Sequence, residues 1–432
     1  MSTTLFNLQL DHIVHLQHAY EQVLAKYGFD SLVIYSGHAS HHFADDHAAS
    51  FQTYGHFMHW VGLADIQHSW LVIQPGKKPQ FYLHAPADFW HQPTQLPDEP
   101  WLSVIDVHQC TQALAPPVEG RSVVIGDIAS TTPDIQQALN AETASNEVVR
   151  ALDELRMFKT PYEVACLREA NHLAMAGHEA AQAAFIGASG ELDIQLAYLA
   201  ASRQRESNVP YQNIIGLNGH AGVLHYQHYD ITPPSQRYSL LVDAGRRFRG
   251  YCADITRTHA GPDAPAIFEE LVTALHHLKD DIISRIEPDT SFVELHQQMH
   301  QALGSVLVAH DVFKGTVEQA VSEGVTRAFC PHGLGHSLGL QVHDVAGLRH
   351  PDGSAAPAPS EHPALRLTRI LKPGMVVTVE PGLYFIPMLL NPLRDTSLPV
   401  NWTLVDQLMS CGGIRIEDNV VVTESGYDNL TP

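Results

Sequence analysis

The sequence is short of cysteine and of positive charge, and it has no long apolar run. Five cysteines (Cys110, Cys166, Cys252, Cys330, Cys411) are scattered over 432 residues. They are odd in number and never spaced as C-x-x-C, which argues against a disulfide framework or a thiolate zinc site and for a reducing compartment. Lysine and arginine total 25 against 47 acidic residues, a formal charge of −22. The basic footprint needed to bind nucleic acid or an anionic membrane is missing. No stretch of about eighteen apolar residues occurs. The N-terminus carries Asp11 and polar groups where a secretory leader needs a basic segment followed by an apolar one. These features predict a cytoplasmic protein with no membrane or nucleic-acid partner. Histidine is abundant, at 29 residues, and most of these must be core or surface side chains without a ligand role.

With 44% hydrophobic content, the chain is long enough for two domains of about 100–200 residues each. Residues 10–27 place Leu10, Ile13, Val14, Leu16, Val23 and Leu24 at a nearly helical period, and Ser31–Tyr35 reads as a strand ending at Gly37. Short apolar runs follow at 70–73, 80–83, 103–107 and 122–126, so residues 1–159 are expected to form a small α/β domain. Within it, the run from His38 to His47 (His38, His41, His42, Asp45, Asp46, His47) has no regular spacing and reads as a solvated loop. Val149–Lys159 looks like a charged connector. Thr160-Pro161-Tyr162-Glu163 then supplies a helix start: a hydroxyl and a carboxylate satisfy orphan backbone donors reciprocally, and proline has no donor there to lose. The domain boundary is placed just before it. Helices are expected to about Phe185 and over 192–206, 264–287, 291–311 and 315–328, with strands at 375–380 and 414–422 and a surface loop at 351–363. The order helix, helix, strand occurs twice after residue 160, and the fold class is α/β (α+β).

Residues 239–259 form the stretch on which the rest turns. An apolar run reaches Asp243, a polar turn falls at Arg246–Gly250, and Asp254 follows. As a hairpin, this makes Asp243 and Asp254 candidates to face each other with Cβ atoms about 4.5–5.5 Å apart. Two carboxylates that close in apolar surroundings repel unless one is protonated or a cation lies between them. Taken alone, the pair reads as a solvated turn with its acids pointing outward. Further ligands are on offer, however. His332-Gly-Leu-Gly-His336-Ser-Leu-Gly339 is a glycine-punctuated loop followed by His343, and Met375-Val-Val-Thr-Val-Glu380 ends a buried strand on a carboxylate. Gly412–Val422 sets Arg415 and Glu417 on one strand face and Ile414 and Ile416 on the other. Glu417 has an alternative partner in Arg415. Jointly the chain offers two Asp, one His and two Glu at strand or glycine-loop positions.

These segments, with Arg366 to Phe385 and the small-domain stretch Ser36–Trp60, resemble the metal-dependent pita-bread peptidases. Within them the proline dipeptidases (Xaa-Pro dipeptidases, or prolidases) of bacterial type, close to organophosphorus acid anhydrolase, are the most similar. The resemblance implies a pita-bread catalytic domain over 160–432 with pseudo-twofold αβ halves, and two divalent ions per subunit. It assigns Asp243 and Asp254 to one ion, has Asp254 and Glu417 bridge to a second, and completes the second with His336 and Glu380. Four carboxylates and one imidazole make a mostly hard set, which favours manganese, with cobalt, iron or zinc as substitutes. Glu380 is implied as the group that takes and passes on the proton of the attacking water. His332 and Arg366 would bind the carboxylate of a C-terminal proline, and His225 and His343 would steady developing charge, with Tyr211 and Arg415 in support. In dimers of the family the small domain of one subunit reaches the other's site, so a homodimer and a role for Asp45 at the substrate's amino end are implied. Phe385–Met409 resembles an insertion of bacterial prolidases. The expected activity is hydrolysis of Xaa-Pro dipeptides, with organophosphate esters as side substrates. The alternatives are an aminopeptidase P acting on longer peptides and a catalytically inactive pita-bread binding module.

Overall fold

The computed structural model describes residues 3–90, 92 and 94–432. The chain forms two units. The first comprises Met1–Cys166 with Arg249–Tyr251 and Pro351–Gly353, and the second comprises Leu167–Phe248, Cys252–His350 and Ser354–Pro432.

The first unit is a mixed six-stranded sheet in the spatial order Asp106–Cys110, Gln80–His84, Trp70–Ile73, Ser31–Tyr35, Ser122–Ile125, Glu142–Thr143. Its central strand alternates cleanly. Leu32 and Ile34 join one apolar cluster with Ile13, Leu16, Tyr20 and Trp60, while Val33 and Tyr35 join another with Trp70, Val72 and Val124. Both faces are therefore covered, as a strand apolar at every position requires. The helix Thr3–Tyr27 supplies the first cover, and it stops at Gly28, whose positive φ of 70° suits a residue without a side chain. Two local readings change. The run 103–107 is mostly a turn, because the strand begins only at Asp106 after a single turn over Pro100–Ser103. Val149–Lys159 is no connector. It belongs largely to a helix, Asn146–Met157, that is capped by Ser145 and buries Val148, Leu152, Arg156 and Met157.

The expected helix start at Thr160 forms with both reciprocal bonds. The Thr160 amide donates to Glu163 Oε2 at 2.8 Å, and the Glu163 amide donates to Thr160 Oγ1 at 3.5 Å. Glu163 is buried, and Tyr251 donates its hydroxyl to Oε1 at 3.1 Å. His59 Nε2 lies 3.4 Å from Oε1 and His12 Nδ1 3.8 Å from Oε2.

In the second unit the helices Pro161–Ile186 and Glu191–Ser202 precede a three-stranded sheet in the order Thr256–Ala260, Ser239–Asp243, Ile214–Leu217. The helices Ala266–Ser284 and Phe292–Ala309 precede a second such sheet, ordered Val376–Val379, Asp418–Thr423, Gly426–Asn429. The repeated helix, helix, sheet order expected after residue 160 is thus present. The helix expected at 315–328 is two short ones, Val317–Ser322 and Val325–Phe329, broken at Gly324 with φ of 77°. The stretch 385–409 folds into the short helices Pro387–Arg394 and Trp402–Leu408.

Strand alternation in the first of these sheets aims Asp243. Leu240 and Val242 pack with Phe185, Ile194 and Tyr198 of the helices, so Leu241 and Asp243 face the other way. The register differs from the expected one, since Asp243 pairs with Thr256 and not with Asp254. A tight turn at Arg249-Gly250, both with positive φ (51° and 90°), sets this register, and the Ala253 amide bonds the Arg246 carbonyl at 2.8 Å. Asp254 lies two positions nearer the turn on the same face, so the carboxylates are diagonal neighbours.

The buried His12, His59 and Glu163 set makes stability depend on acid. Burial pushes the His12 pKa from 6.5 down to about 4, against the pull of Glu163, and burial lowers His59 as well. Burial works against the Glu163 carboxylate, yet the neighbouring His59 and His12 and the Thr160 amide hold its pKa below the usual range. As pH falls below 6.5 the unfolded chain takes up protons that the folded His12 refuses until about 4. The stabilisation from Glu163 is full above its unfolded pKa and is lost as pH falls toward the folded one. Both terms have the same sign. The Tm should be flat near neutrality and fall between pH 6.5 and 4, and His12→Gln should make the fall shallower by on the order of 3 kcal/mol. A Tm that is constant over this range would contradict the burial of neutral histidine.

Candidate active site

The second unit contains a cavity of about 520 Å³. Asp243, Asp254, His336, Glu380 and Glu417 all line it, as do Tyr211, His225, His332, His343, Arg366 and Arg415. Segments up to about 200 residues apart in sequence are therefore brought together. Asp45 is not among the lining residues. It belongs to the first unit, in an exposed loop, where Oδ1 accepts the His47 amide at 3.0 Å.

Backbone bonding explains how the histidine loop is held. The His336 amide donates to Thr378 Oγ1, the Thr378 amide donates to the His336 carbonyl, and the Glu380 amide donates to the Leu334 carbonyl. The loop therefore lies along the strand that ends at Glu380. Glycine is required at 335 because a Cβ there would fall 2.1 Å from the Thr378 carbonyl oxygen. His336 Nδ1 lies 3.0 Å from the Ser337 carbonyl, which assigns the ring proton to Nδ1 and leaves the Nε2 lone pair free. Nε2 is 3.3 Å from Asp254 Oδ2 and 3.8 Å from Glu380 Oε1.

Asp254 is held by its own backbone. The Asn419 side chain accepts its amide at 3.0 Å and donates to its carbonyl at 2.5 Å. Glu417 accepts the Thr256 hydroxyl at Oε2 (2.7 Å), while Oε1 is buried with no hydrogen-bond partner among the described residues. Arg415 does not neutralise Glu417 as the alternative reading had it. Its guanidinium donates to Asp243 Oδ2 at 2.5 Å, to Tyr384 Oη at 2.8 Å and to Thr256 Oγ1 at 3.2 Å. The Tyr384 hydroxyl in turn lies 2.9 Å from His332 Nε2, and Tyr211 donates to Asp243 Oδ1 at 2.7 Å. Asn419, Thr256, Thr378 and Tyr384 are thus part of the site's scaffolding. Their side-chain roles have no local sequence signature.

The electrostatics are those of too many acids in one place. Burial raises the pKa of Glu417 well above the carboxylate range, and Asp254, Glu380 and Asp243 add to it. Glu380 is pushed up to about 7 by burial, against the pull of His336 and Arg415. Asp243 is raised by burial despite Arg415. Asp254 moves the other way: burial opposes its charge, but the His336 contact holds it down, and the same contact raises His336 against burial. Four carboxylates share one buried guanidinium and one imidazole, so cations are what the set lacks. Asp254, His336 and Glu417 are buried and offer ligand atoms within 4.8 Å of one another. Together with the orphaned Glu417 oxygen, this donor set fits divalent metal ions.

His343 stands 4.4 Å from His336, ring centre to ring centre and nearly perpendicular, and its pKa is pushed down to about 4 by burial and then by the charges of His336 and Arg366. Its imidazole is therefore neutral at pH 7. Arg366 and His225 line the cavity from exposed positions. A Gly335→Ala replacement should force the histidine loop off its strand, lowering stability by about 1–3 kcal/mol and weakening metal retention in equilibrium dialysis. An alanine variant that melts and retains metal like the parent would contradict this account of the loop.

Comparison with known proteins identifies the family. Residues 165–424 match the model of metallopeptidase family M24, and residues 7–156 match that of the Xaa-Pro dipeptidase N-terminal domain. The Xaa-Pro dipeptidase of Marinobacter nauticus is 49% identical over 432 residues, covering 99% of this chain and 98% of the relative. That of Erwinia tasmaniensis is 40% identical over 438 residues, with the same coverage of 99% and 98%. Among solved structures, Escherichia coli aminopeptidase P with the inhibitor Pro-Leu aligns at a TM-score of 0.73 and 22% identity over 98% of this chain and 94% of that one. Proline aminopeptidase P II from Yersinia pestis aligns at 0.72 and 22% identity over 98% and 96%. At that identity the structural likeness concerns the pita-bread fold alone. The chain belongs to metallopeptidase family M24 and, within it, to the Xaa-Pro dipeptidases.

Proposed function

We propose that the chain hydrolyses Xaa-Pro dipeptides with two divalent ions held by Asp243, Asp254, His336, Glu380 and Glu417. The observation that carries the reading is the convergence of these five donors in one cavity whose lining also includes the exposed cation Arg366. The hard, carboxylate-rich set favours manganese, with cobalt, iron or zinc as substitutes. When bound, a divalent pair supplies Lewis acidity, making water a nucleophile at neutral pH and polarising the scissile carbonyl.

The chain's own residues do the rest. Arg415 pairs with Asp243 and opposes the effect of burial on that carboxylate, and through Tyr384 it orients His332. The Glu380 carboxylate, at the end of its strand, takes the proton of the attacking water and returns it to the departing proline nitrogen. Neutral His343, with His225, donates N–H bonds to the oxygen on which charge develops. Arg366 and His332 bind the proline carboxylate, and Tyr211 holds Asp243 in place. A fixed cation at that position selects for length, because a longer peptide presents an amide where the site expects an anion. Organophosphate esters, tetrahedral at phosphorus like the acyl adduct, are proposed as side substrates. A homodimer, in which Asp45 approaches the substrate's amino end in the other subunit, belongs to the same reading and is supported by the family resemblance and by the free, exposed position of that loop. A cytoplasmic setting is supported by five free thiols. Among the described residues no helix is long and apolar enough to cross a membrane.

Purified protein supplied with manganese should release free proline from a Xaa-Pro dipeptide, and chelation or Glu417→Ala should reduce release to background. Undiminished release by chelated enzyme would overturn the two-metal reading. Arg366→Ala should lower kcat/KM on dipeptides about tenfold to a hundredfold, the value of a charged hydrogen bond, and leave tripeptides little changed. Activity retained on dipeptides would instead favour an aminopeptidase.

A further inference from the structure

A second group of potential ligands, of different chemistry, lies in the same unit. The helix Phe292–Ala309 sets His296 and His300 four residues apart on one face, and His362 reaches both from the loop that leads to Arg366. The ring centres are 4.7 Å apart for His296 and His300, 4.4 Å for His296 and His362, and 4.8 Å for His300 and His362. Each ring offers a nitrogen within 4.8 Å of the other two. A cavity of about 260 Å³ opens onto the three.

Imidazoles buried for packing alone normally place their nitrogens in hydrogen bonds. These do not. His296 is 0% exposed and, among the described residues, neither of its nitrogens has a hydrogen-bond partner, and His300 Nδ1 also lacks one. An aliphatic side chain would fill the space without that penalty, so packing does not account for the choice of residue. Burial lowers the pKa of all three; the neighbouring rings add to it at His296, taken to about 2, and at His300, taken to about 3, while the charge of Arg327 adds to it at His300 and His362. The group is therefore neutral at physiological pH, with lone pairs available, which is the protonation state that coordination requires.

We propose that His296, His300 and His362 form a third metal site, for one divalent ion of the imidazole-preferring kind, zinc foremost. Three neutral nitrogen donors with no carboxylate among them suit zinc, copper or nickel, in contrast to the hard donors of the peptidase cavity. Two histidines at i and i+4 on a helix with a third from a loop is a tridentate arrangement that leaves a fourth position open, here toward the cavity. His362 is half-buried and provides the route of entry. The ion joins a helix to the loop that carries Ala364 and Arg366 into the lining of the larger cavity, and so fastens that stretch. The proposal does not depend on the peptidase reading.

The test is a metal count on intact protein. Chelator-stripped protein is titrated with Zn²⁺, passed through gel filtration and analysed for bound zinc, beside His300→Gln and His362→Ala. One ion fewer per chain is expected in each variant. Co²⁺ should give the visible absorption of a tetrahedral nitrogen site in the parent and in an Asp254→Asn, Glu417→Gln double variant, and the band should be lost in both histidine variants. His362 lies in a loop, so its variant keeps the test valid if His300→Gln does not fold. The same zinc count and cobalt spectrum in the parent and His362→Ala would overturn the proposal.

Discussion

The structure depends on confining more negative charge in one cavity than its own cations balance. Asp243, Asp254, Glu380 and Glu417 converge there, and among the described residues Arg415 and His336 offset them where they are buried, with Arg366 at an exposed position of the lining. Without further cations the cheapest remedy is protonation, and the raised pKa values of Glu417, Glu380 and Asp243 record that pressure. Divalent ions held by these residues would relieve it and favour the charged forms of Glu417, Glu380 and Asp243. Metal binding and the integrity of this half of the molecule are therefore one free-energy problem, because the folded chain holds the acids together and only cations make that arrangement comfortable.

Holding mutually repelling groups in register takes rigid supports, and these are made of backbone and neutral side chains. Thr378 ties the histidine loop to a strand from both directions, and Asn419 takes both polar groups of the Asp254 backbone. Thr256 serves twice, donating its hydroxyl to Glu417 and accepting from Arg415. A neutral donor or acceptor fixes geometry without adding to the charge imbalance. The one buried cation among these supports, Arg415, is spread over Asp243, Tyr384 and Thr256.

Much of this was legible in the sequence. The capping box at Thr160, the twice-repeated helix and strand order, the glycines at 333 and 335, and the acids at strand ends are signals that local geometry must obey wherever the chain goes. The single strand expected over 414–422 is two, Gly413–Arg415 and Asp418–Thr423 in different sheets, with Glu417 between them; Arg415 and Glu417 nonetheless both line the cavity. The tight turn at Arg249-Gly250 moved the hairpin register, so that Asp254 became the diagonal neighbour of Asp243 instead of its direct partner. That difference was beyond a pattern reading, since a polar stretch with one glycine admits more than one turn position.

Which residue types are available, and the period on which they recur, can be read from the chain in one dimension, because secondary structure is governed by neighbours a few positions away. Which side chains meet is settled by packing in three dimensions. Arg415 bonds Asp243, 172 positions away, in preference to Glu417 two positions away, and Asn419 clamps Asp254 across 165. His296 and His300 meet His362 only because a loop folds back over their helix. Such pairings are set by how helices and sheets pack, and packing is a property of the whole chain that no local spacing encodes.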